Sequence, residues 1–209
     1  GFLIGATAGR TTLNGEGLQH QDGHSHLLAS VVPNLLCYDP AYVYEFAIII
    51  QDGLKRMIEQ GEDIFYYLTA YNENYEQIPM PKGAEDGVKK GLYKLISTKK
   101  TKKALAQIIS SGVMVKEAIL AAKVLEENYH IPTNVWSAPS FKRLRLDALY
   151  IEKNNRLNPQ KKASKNYIEE VLSDEGGAFV AVSDYISLVP DQIQQWIPGG
   201  LLSLGTDGF

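Results

Sequence analysis

The feature that most constrains the fold is a regular alternation of strand-like and helix-like segments that begins at residue 104. Apolar and β-branched runs predict strands at residues 104–110, 133–137, 178–182 and 201–204. The stretches between them predict helices at residues 113–128, 141–157, 165–172 and 190–196. Because a parallel strand pair needs a long crossover, which a helix commonly supplies, this order predicts βαβ units and a mainly parallel sheet.

A shorter α/β pattern precedes this alternation. Apolar and aromatic runs at residues 34–38 and 63–71 predict two buried strands. Between them a helix is predicted over residues 40–60, with Asp39 as its N-cap and Pro40 at its first position.

Residues 72–103 are interrupted by proline and glycine and end in a lysine-rich run, which is typical of an interdomain connection. We therefore predict a first domain over residues 1–80, a linker over 81–103 and a second domain over 104–209.

Composition narrows the classes of partner. The net charge of −3 disfavours a nucleic-acid partner, whose phosphates call for a basic surface. The single cysteine, Cys37, excludes an internal disulfide and fits a reducing cytosol. No apolar run is long enough to span a bilayer, and no signal peptide is recognisable. We expect a cytoplasmic protein, and both chain ends resemble cuts through structured elements of a longer one.

Three of the four histidines lie within seven positions of the string GEGLQHQDGHSH, at residues 15–26. His20, Asp22, His24 and His26 have the residue types of a metal site. In a second interpretation the imidazoles hydrogen-bond the carboxylate or oxyanion of a substrate. In a third they only cap a helix and satisfy neighbouring carbonyls. The residues alone leave all three open, and Glu45 is expected to be a helix-dipole or interface carboxylate rather than a catalytic acid.

The segment GFLIGATAGRTTLNGEGLQHQDGHSH, residues 1–26, closely resembles the homodimeric decarboxylating component of pyruvate dehydrogenase, a family of transketolase-like thiamine diphosphate enzymes. The long string GRTTLNGEGLQH followed by DGHSH is the most specific part. The resemblance covers the whole chain and is weakest over residues 142–164. It continues through the strings YDPAY, DGLKRM, NENY, MPKGAEDGVKKGLYKL and LGTDGF.

This resemblance implies an α/β fold in which residues 1–80 are the later part of a pyrimidine-binding domain with a His-rich active-site loop. Residues 104–209 would be a truncated transketolase C-terminal-like domain. Family subunits are several times longer and use thiamine diphosphate and magnesium. The magnesium-diphosphate motif, GDG followed by an asparagine, is absent here, and the activating glutamate is expected upstream of Gly1. We therefore expect no cofactor-binding or metal-binding residue in this chain.

The resemblance also assigns site residues. In the family the histidine of the GLQH string faces the substrate and its adduct with the cofactor, which implies this catalytic role for His20. Glu16, in the same string, is expected to support the site or the subunit interface. Asp22, His24 and His26 match family positions and are candidates for lining the site. The metal interpretation loses its support.

The implied function of the full-length protein is to decarboxylate pyruvate and to transfer the acetyl group to the lipoyl group of the acetyltransferase core. The family works as a homodimer, whereas the fragment alone is expected to be inactive. Two alternatives stay open: a related component that decarboxylates a different 2-oxoacid, and a non-catalytic assembly module. A GDG motif and an activating glutamate in the upstream sequence would favour the catalytic interpretation.

Overall fold

The computed structural model describes residues 1–5, 9–13, 15, 17, 19–98 and 104–208. In the first part of the chain three strands form a parallel sheet with the spatial order β1-β3-β2, its members being β1 (Phe2–Gly5), β2 (Leu35–Tyr38) and β3 (Phe65–Thr69). Helix α1 (Ser25–Ser30) precedes β2. Helix α2 (Val43–Leu54), extended by a π-helical turn over Lys55–Glu59, connects β2 to β3.

The helix predicted over residues 40–60 begins later than expected, and the prediction that Asp39 is its N-cap is wrong. Tyr42 occupies the N-cap position, where the Glu45 carboxylate accepts hydrogen bonds from the backbone N–H groups of Ala41 (2.5 Å) and Tyr42 (3.3 Å). Asp39 is buried at the end of β2, where three side-chain hydroxyls donate to it. These hydroxyls satisfy its carboxylate, so it is not available to cap a helix.

Residues 81–103, predicted as a linker, contain a helix and a strand. Helix α3 (Glu85–Lys90) ends at Gly91, whose φ of 100° is the left-handed conformation that glycine adopts readily at a helix C-terminus. Strand β4 (Tyr93–Ile96) follows and pairs with a strand further along the chain. Residues 99–103, the lysine-rich end of the predicted linker, lie outside the described residues. The domain bounds 1–80, 81–103 and 104–209 stay a prediction.

The second sheet has the order β4-β6-β5-β7-β8. Its further strands are β5 (Ala106–Ser110), β6 (Thr133–Ser137), β7 (Ala178–Val182) and β8 (Leu201–Leu204). Strand β4 is antiparallel to β6 and the other pairings are parallel. The predicted α/β fold with a mainly parallel sheet is therefore confirmed. The helices in this part are α4 (Met114–Asn128), α5 (Phe141–Leu157), α6 (Tyr167–Leu172) and α7 (Leu188–Asp191).

The helix predicted over residues 190–196 is wrong in its bounds. Helix α7 begins two residues earlier, and a separate 3-10 turn covers Gln194–Trp196. Pro190 fits the first turn of α7 because the N–H groups of a first helical turn have no intrahelical partner to lose. No helix in the described ranges is long and apolar enough to cross a membrane.

Two apolar cores lie on the two faces of the second sheet. One core also includes buried residues of the first sheet, so that Tyr38 and Tyr66 belong to the same cluster as Tyr93 and Val135. The other core contains residues of α5, α6 and α7 together with the inward side chains of β7 and β8. Since close-packed interiors deform little, the shared core holds the two sheets in one arrangement.

Candidate functional site

The His-rich loop, which we define as residues 9–24, lies between β1 and α1 and contacts residues that follow β7 and β8 of the second sheet. The Arg10 guanidinium donates hydrogen bonds to the backbone carbonyls of Thr206 and Gly208, the latter at 3.1 Å. The Gly23 carbonyl accepts a hydrogen bond of 3.0 Å from the backbone N–H of Ile186. The loop that carries four of the five predicted site residues is therefore positioned by both parts of the molecule.

His20 is exposed on this loop. Its backbone N–H donates to the carbonyl of Gly17 at 3.2 Å, in a turn where Gly17 has a φ of 74°. His24 is also exposed, whereas Glu16 lies outside the described residues. The imidazole of His20 is thus accessible to a molecule that approaches from outside this chain.

Asp22 fixes the beginning of α1. One carboxylate oxygen accepts hydrogen bonds from the backbone N–H groups of His24 (3.1 Å) and Ser25 (3.0 Å), and the other accepts from the Ser25 hydroxyl. The Ser25 hydroxyl in turn accepts from the Tyr67 hydroxyl at 3.0 Å. A carboxylate near the N-terminus of a helix is stabilised by the backbone N–H groups that have no intrahelical partner. Asp22 therefore holds the end of the loop.

His26 is buried on α1 and does not line the same exposed surface as His20. Its Nε2 lies 3.0 Å from the Thr69 hydroxyl, and its ring packs on Tyr67 and edge-on against Tyr185, with the Tyr185 centroid 4.8 Å away. Burial lowers the pKa of His26, although the nearby Asp39 carboxylate opposes this shift. A neutral imidazole with its hydrogen on Nε2 fits these contacts, because the Thr69 hydroxyl donates to Asp39 and therefore accepts from His26.

Asp39 is the centre of a buried polar network that the sequence did not reveal. Its carboxylate accepts hydrogen bonds from the hydroxyls of Thr69 (2.6 Å), Tyr71 (2.6 Å) and Ser111 (2.7 Å). Burial, with the adjacent Asp39 carboxylate as a further cause, raises the pKa of Tyr71 well above its usual value. The network joins the ends of β2 and β3 to the residue that follows β5, so it binds the two sheets together.

Asp184 is a second buried carboxylate and touches the His-rich loop directly. It accepts hydrogen bonds from the backbone N–H groups of Arg10 (2.9 Å) and Thr11 (3.1 Å). Burial raises the pKa of Asp184 to about 6, while the two backbone donors lower it. Asp39 and Asp184 each follow a parallel strand within two residues of its carboxyl end. In α/β sheets this is where ligand sites occur, and that rule was the signal that could have identified both residues.

A small cavity lies where the two sheets meet. Its lining includes His26, Cys37, Asp39, Lys142 and Tyr185, and it has space for about 10 Å³, the volume that one water molecule needs. It is therefore too small for a 2-oxoacid or an organic cofactor. His20 is not among the residues that line it.

The buried carboxylates of the described residues do not fit a magnesium-diphosphate group. Magnesium needs free oxygen ligands. The carboxylates of Asp39, Asp184 and Glu45 instead accept several hydrogen bonds each from protein groups. Within the described ranges, no group of three or more histidine, cysteine or acidic side chains is arranged to hold a metal ion. That the His-rich loop binds no metal stays a prediction.

Comparison with protein families gives two matches in chain order. Residues 1–78 match the middle domain of the pyruvate dehydrogenase E1 component. Residues 91–209 match the transketolase-like TK C-terminal domain.

Curated relatives match along the whole chain. The chain is 53% identical over 210 residues to the pyruvate dehydrogenase E1 component of Pseudomonas aeruginosa and 45% identical over 211 residues to that of Escherichia coli K12. These matches cover all of this chain but only 24% and 23% of the relatives, so the chain spans about a quarter of their length.

Solved structures show the same fold at lower identity. A transketolase from Campylobacter jejuni superposes with a TM-score of 0.70 at 22% identity, covering 100% of this chain and 27% of the transketolase. At this identity the match supports the fold, which is that of a transketolase-like α/β protein.

Proposed function

Since the chain belongs to the pyruvate dehydrogenase E1 component family, we propose that it is part of an enzyme that decarboxylates pyruvate and transfers the acetyl group to the lipoyl group of an acetyltransferase core. The observation that carries this proposal is the match of both domains, in order, along the entire chain. In such an enzyme thiamine diphosphate supplies the electron sink, whereas the protein orients the reacting groups and supplies the electrostatic environment.

The proposed catalytic residue of this chain is His20. Its imidazole is exposed, while both sides of the loop around it are anchored to buried groups. From this position it would donate a hydrogen bond or a proton to the substrate carboxylate, or to the substrate oxygen where negative charge develops. Asp22 and His26 would support the loop, His24 would line the exposed side, and Glu16 would support the site or the subunit interface.

The remaining parts of the site would come from outside this chain. The described carboxylates do not offer a magnesium-diphosphate site, so these ligands and the group that activates the cofactor would be supplied by the rest of the subunit and by the second subunit of a homodimer. The isolated 209-residue chain is then expected to be inactive and not to bind thiamine diphosphate tightly. Isothermal calorimetry that measured micromolar binding by the isolated chain would contradict this division of the site. We further propose a cytoplasmic location for the enzyme.

The test of His20 is a substitution in the full-length enzyme. His20→Ala removes one positioned donor from an exposed loop and should lower turnover on the order of a hundred- to a thousand-fold, or about 3–4 kcal/mol of transition-state stabilisation. Steady-state kinetics with pyruvate in the reconstituted complex would measure the loss. The melting temperature should stay close to that of the wild type, because an exposed imidazole contributes little to packing.

The matched control is His130, which is also exposed but lies at the end of α4 with a φ of 58°. Asparagine tolerates this left-handed conformation, so His130→Asn should preserve both fold and turnover. Near-normal turnover of His20→Ala would remove His20 from the mechanism, as would a loss explained by a collapsed melting temperature. Activity of the wild type on another 2-oxoacid, but not on pyruvate, would favour the related decarboxylating component.

A further inference from the structure

Besides the contacts of the Arg10 side chain with Thr206 and Gly208, the His-rich loop is held by Asp184 and Ile186, two residues of one short segment, 184–186. Asp184 accepts hydrogen bonds from the backbone N–H groups of Arg10 and Thr11, at the beginning of the loop. Ile186 donates its backbone N–H to the carbonyl of Gly23, near the end of the loop. Residues 184–186 begin two residues after the end of β7, so the five-stranded sheet holds the loop on both sides of its exposed part.

A continuous path of contacts leads from this segment to the neighbours of His20. Thr11, whose N–H donates to Asp184, begins a 3-10 turn that ends at the buried Leu13. The carbonyl of Leu13 accepts a hydrogen bond of 3.3 Å from the side-chain amide of Gln21. Gln21 is adjacent to His20 in sequence, so displacement of the Asp184 contact would be transmitted to the loop at His20.

We propose that Asp184 is a positioning residue for His20: by accepting the two backbone N–H groups of Arg10 and Thr11, it makes the second domain set the location of the catalytic loop. This inference rests on the function proposed for His20. The segment does not touch the substrate, and its contribution is geometric. A carboxylate that accepts two backbone N–H groups has less freedom than a neutral side chain, because charge-assisted hydrogen bonds are shorter and stronger.

The protonation state of Asp184 should then affect the loop. Because burial raises the pKa of Asp184 to about 6, the carboxyl takes up a proton as the pH falls through that value and becomes a weaker acceptor. The groups that act on the pKa of Asp184 are Arg10 and Thr11 on the loop, whose N–H groups lower it, and the Asp39 carboxylate at the end of β2, which raises it; the Tyr71 ring lies beside Asp184 at Gly9. Turnover should therefore acquire an acid limb below about pH 6 that depends on Asp184.

The experiment is Asp184→Asn in the full-length enzyme. The asparagine is nearly isosteric and removes a buried charge, so the fold should be retained. Two readouts are needed: hydrogen exchange of the amides in residues 10–13 and 19–24, and kcat and KM for pyruvate between pH 5 and 8. We expect about tenfold faster exchange of the Arg10 and Thr11 amides and about tenfold lower kcat at pH 7, with KM changed by less than about twofold. The acid limb near pH 6 should disappear.

The matched control is Asp147→Asn. The Asp147 carboxylate also accepts a backbone N–H, that of Tyr167 at 2.8 Å, but it joins α5 to α6 within the second domain. This variant should keep the exchange of the loop, the kcat and the acid limb of the wild type.

Unchanged loop exchange in Asp184→Asn would overturn the inference, as would an acid limb that persists in that variant. A different outcome would separate the two proposals. If the loop amides exchanged faster in Asp184→Asn but the wild type did not turn over pyruvate, the positioning of the loop would be upheld and the proposed function would be rejected.

Discussion

The two parts of the molecule meet at two kinds of contact. At the first, which we call the packed junction, α2 meets β4 and β6 through the carboxylate of Glu45. This group is completely buried and accepts hydrogen bonds from the hydroxyls of Tyr93 (2.6 Å) and Ser137 (2.6 Å) as well as from two backbone N–H groups. At the second, which we call the loop junction, residues 184–186 hold an exposed loop mainly by its backbone.

The difference separates stability from positioning. Glu45 lies beside the apolar core that both sheets share. Loss of its carboxylate would therefore leave several buried donors without a hydrogen-bond acceptor. At the loop junction, His20 and Gly17 are both exposed. Regions of low contact density open at low free energy, and catalytic loops are commonly drawn from such regions. The packed junction should therefore govern whether the chain folds, and the loop junction should govern how well it acts.

The largest expected effect comes from the packed junction. Glu45→Ala leaves the hydroxyls of Tyr93 and Ser137 and two backbone N–H groups without their acceptor, and should cost about 3–5 kcal/mol of local unfolding free energy. Native-state hydrogen exchange of the β6 amides in the full-length protein would measure it. Glu117→Ala, at an exposed position of α4, is the control and should change little. Equal losses in the two variants would mean that the packed junction is not the stabilising contact.

An intermediate effect on stability is expected at Lys142, a residue of α5 whose side chain binds the end of α1 and the residues that follow it. Its buried ammonium donates hydrogen bonds to the backbone carbonyls of Ala29 (3.0 Å), Val32 (2.5 Å) and Leu35 (2.6 Å). Burial lowers the pKa of Lys142, with the Cys37 thiol as an opposing influence. The gain from these hydrogen bonds is therefore partly offset by the cost of burying the charge.

Lys142→Met keeps the length of the side chain and removes the donors. We expect a loss of about 1–2 kcal/mol, confined to the exchange of amides in α1 and β2. Lys161→Met, at an exposed position after α5, is the control. If exchange rose equally throughout the second sheet, Lys142 would belong to the packed junction rather than standing between the two.

The sequence predicted the regular part of this structure better than its polar contacts. Strand and helix periodicity identified β6 and α5 with the bounds that the structure has, because burial of one face imposes a pattern on neighbouring residues. Asp39 and Asp184 carry no such pattern. Asp39 followed by Pro40 is as typical of a helix N-terminus as of a buried network, and the partners that decide between them lie 30 to 72 positions away in the chain.

The candidate site was predicted in part for the same reason. The resemblance to the family singled out His20, and its role stays a proposal. The resemblance could not distinguish the exposed His20 and His24 from the buried His26. The burial of His26 depends on contacts with Thr69 and Tyr185, which lie far along the chain. Local sequence gives residue types that suit a chemistry, whereas the burial of each imidazole is set by contacts between distant segments.

The smallest expected effect is the response of the free energy of unfolding to acid, to which the buried His26 and Asp184 contribute with opposite signs. His26 has a lowered pKa, so below its usual value of 6.5 the unfolded chain binds a proton more readily than the folded chain does. Its contribution to stability is present above pH 6.5 and is lost as the pH falls further. Burial of its charge raises the pKa of Asp184, so its contribution to the free energy of unfolding is complete below about pH 3.8 and is lost as the pH rises through about 6, although the protonated carboxyl is the weaker acceptor for the loop.

Between pH 7.5 and 5.5 the acid-induced loosening of α1 should therefore depend on His26. At pH 5.5, one unit below the usual pKa of histidine, the loss of free energy of unfolding should be at most about 1.4 kcal/mol. His26→Gln keeps a donor to the Thr69 hydroxyl but does not titrate, so the α1 amides should show a smaller change in protection across this range. Hydrogen exchange corrected for the intrinsic pH dependence measures the change, with the exposed His130→Asn, which tolerates the φ of 58° at that position, as control. If His26→Gln and wild type loosened equally, protonation of His26 would not be the cause, and the burial of this imidazole would not determine how α1 responds to acid.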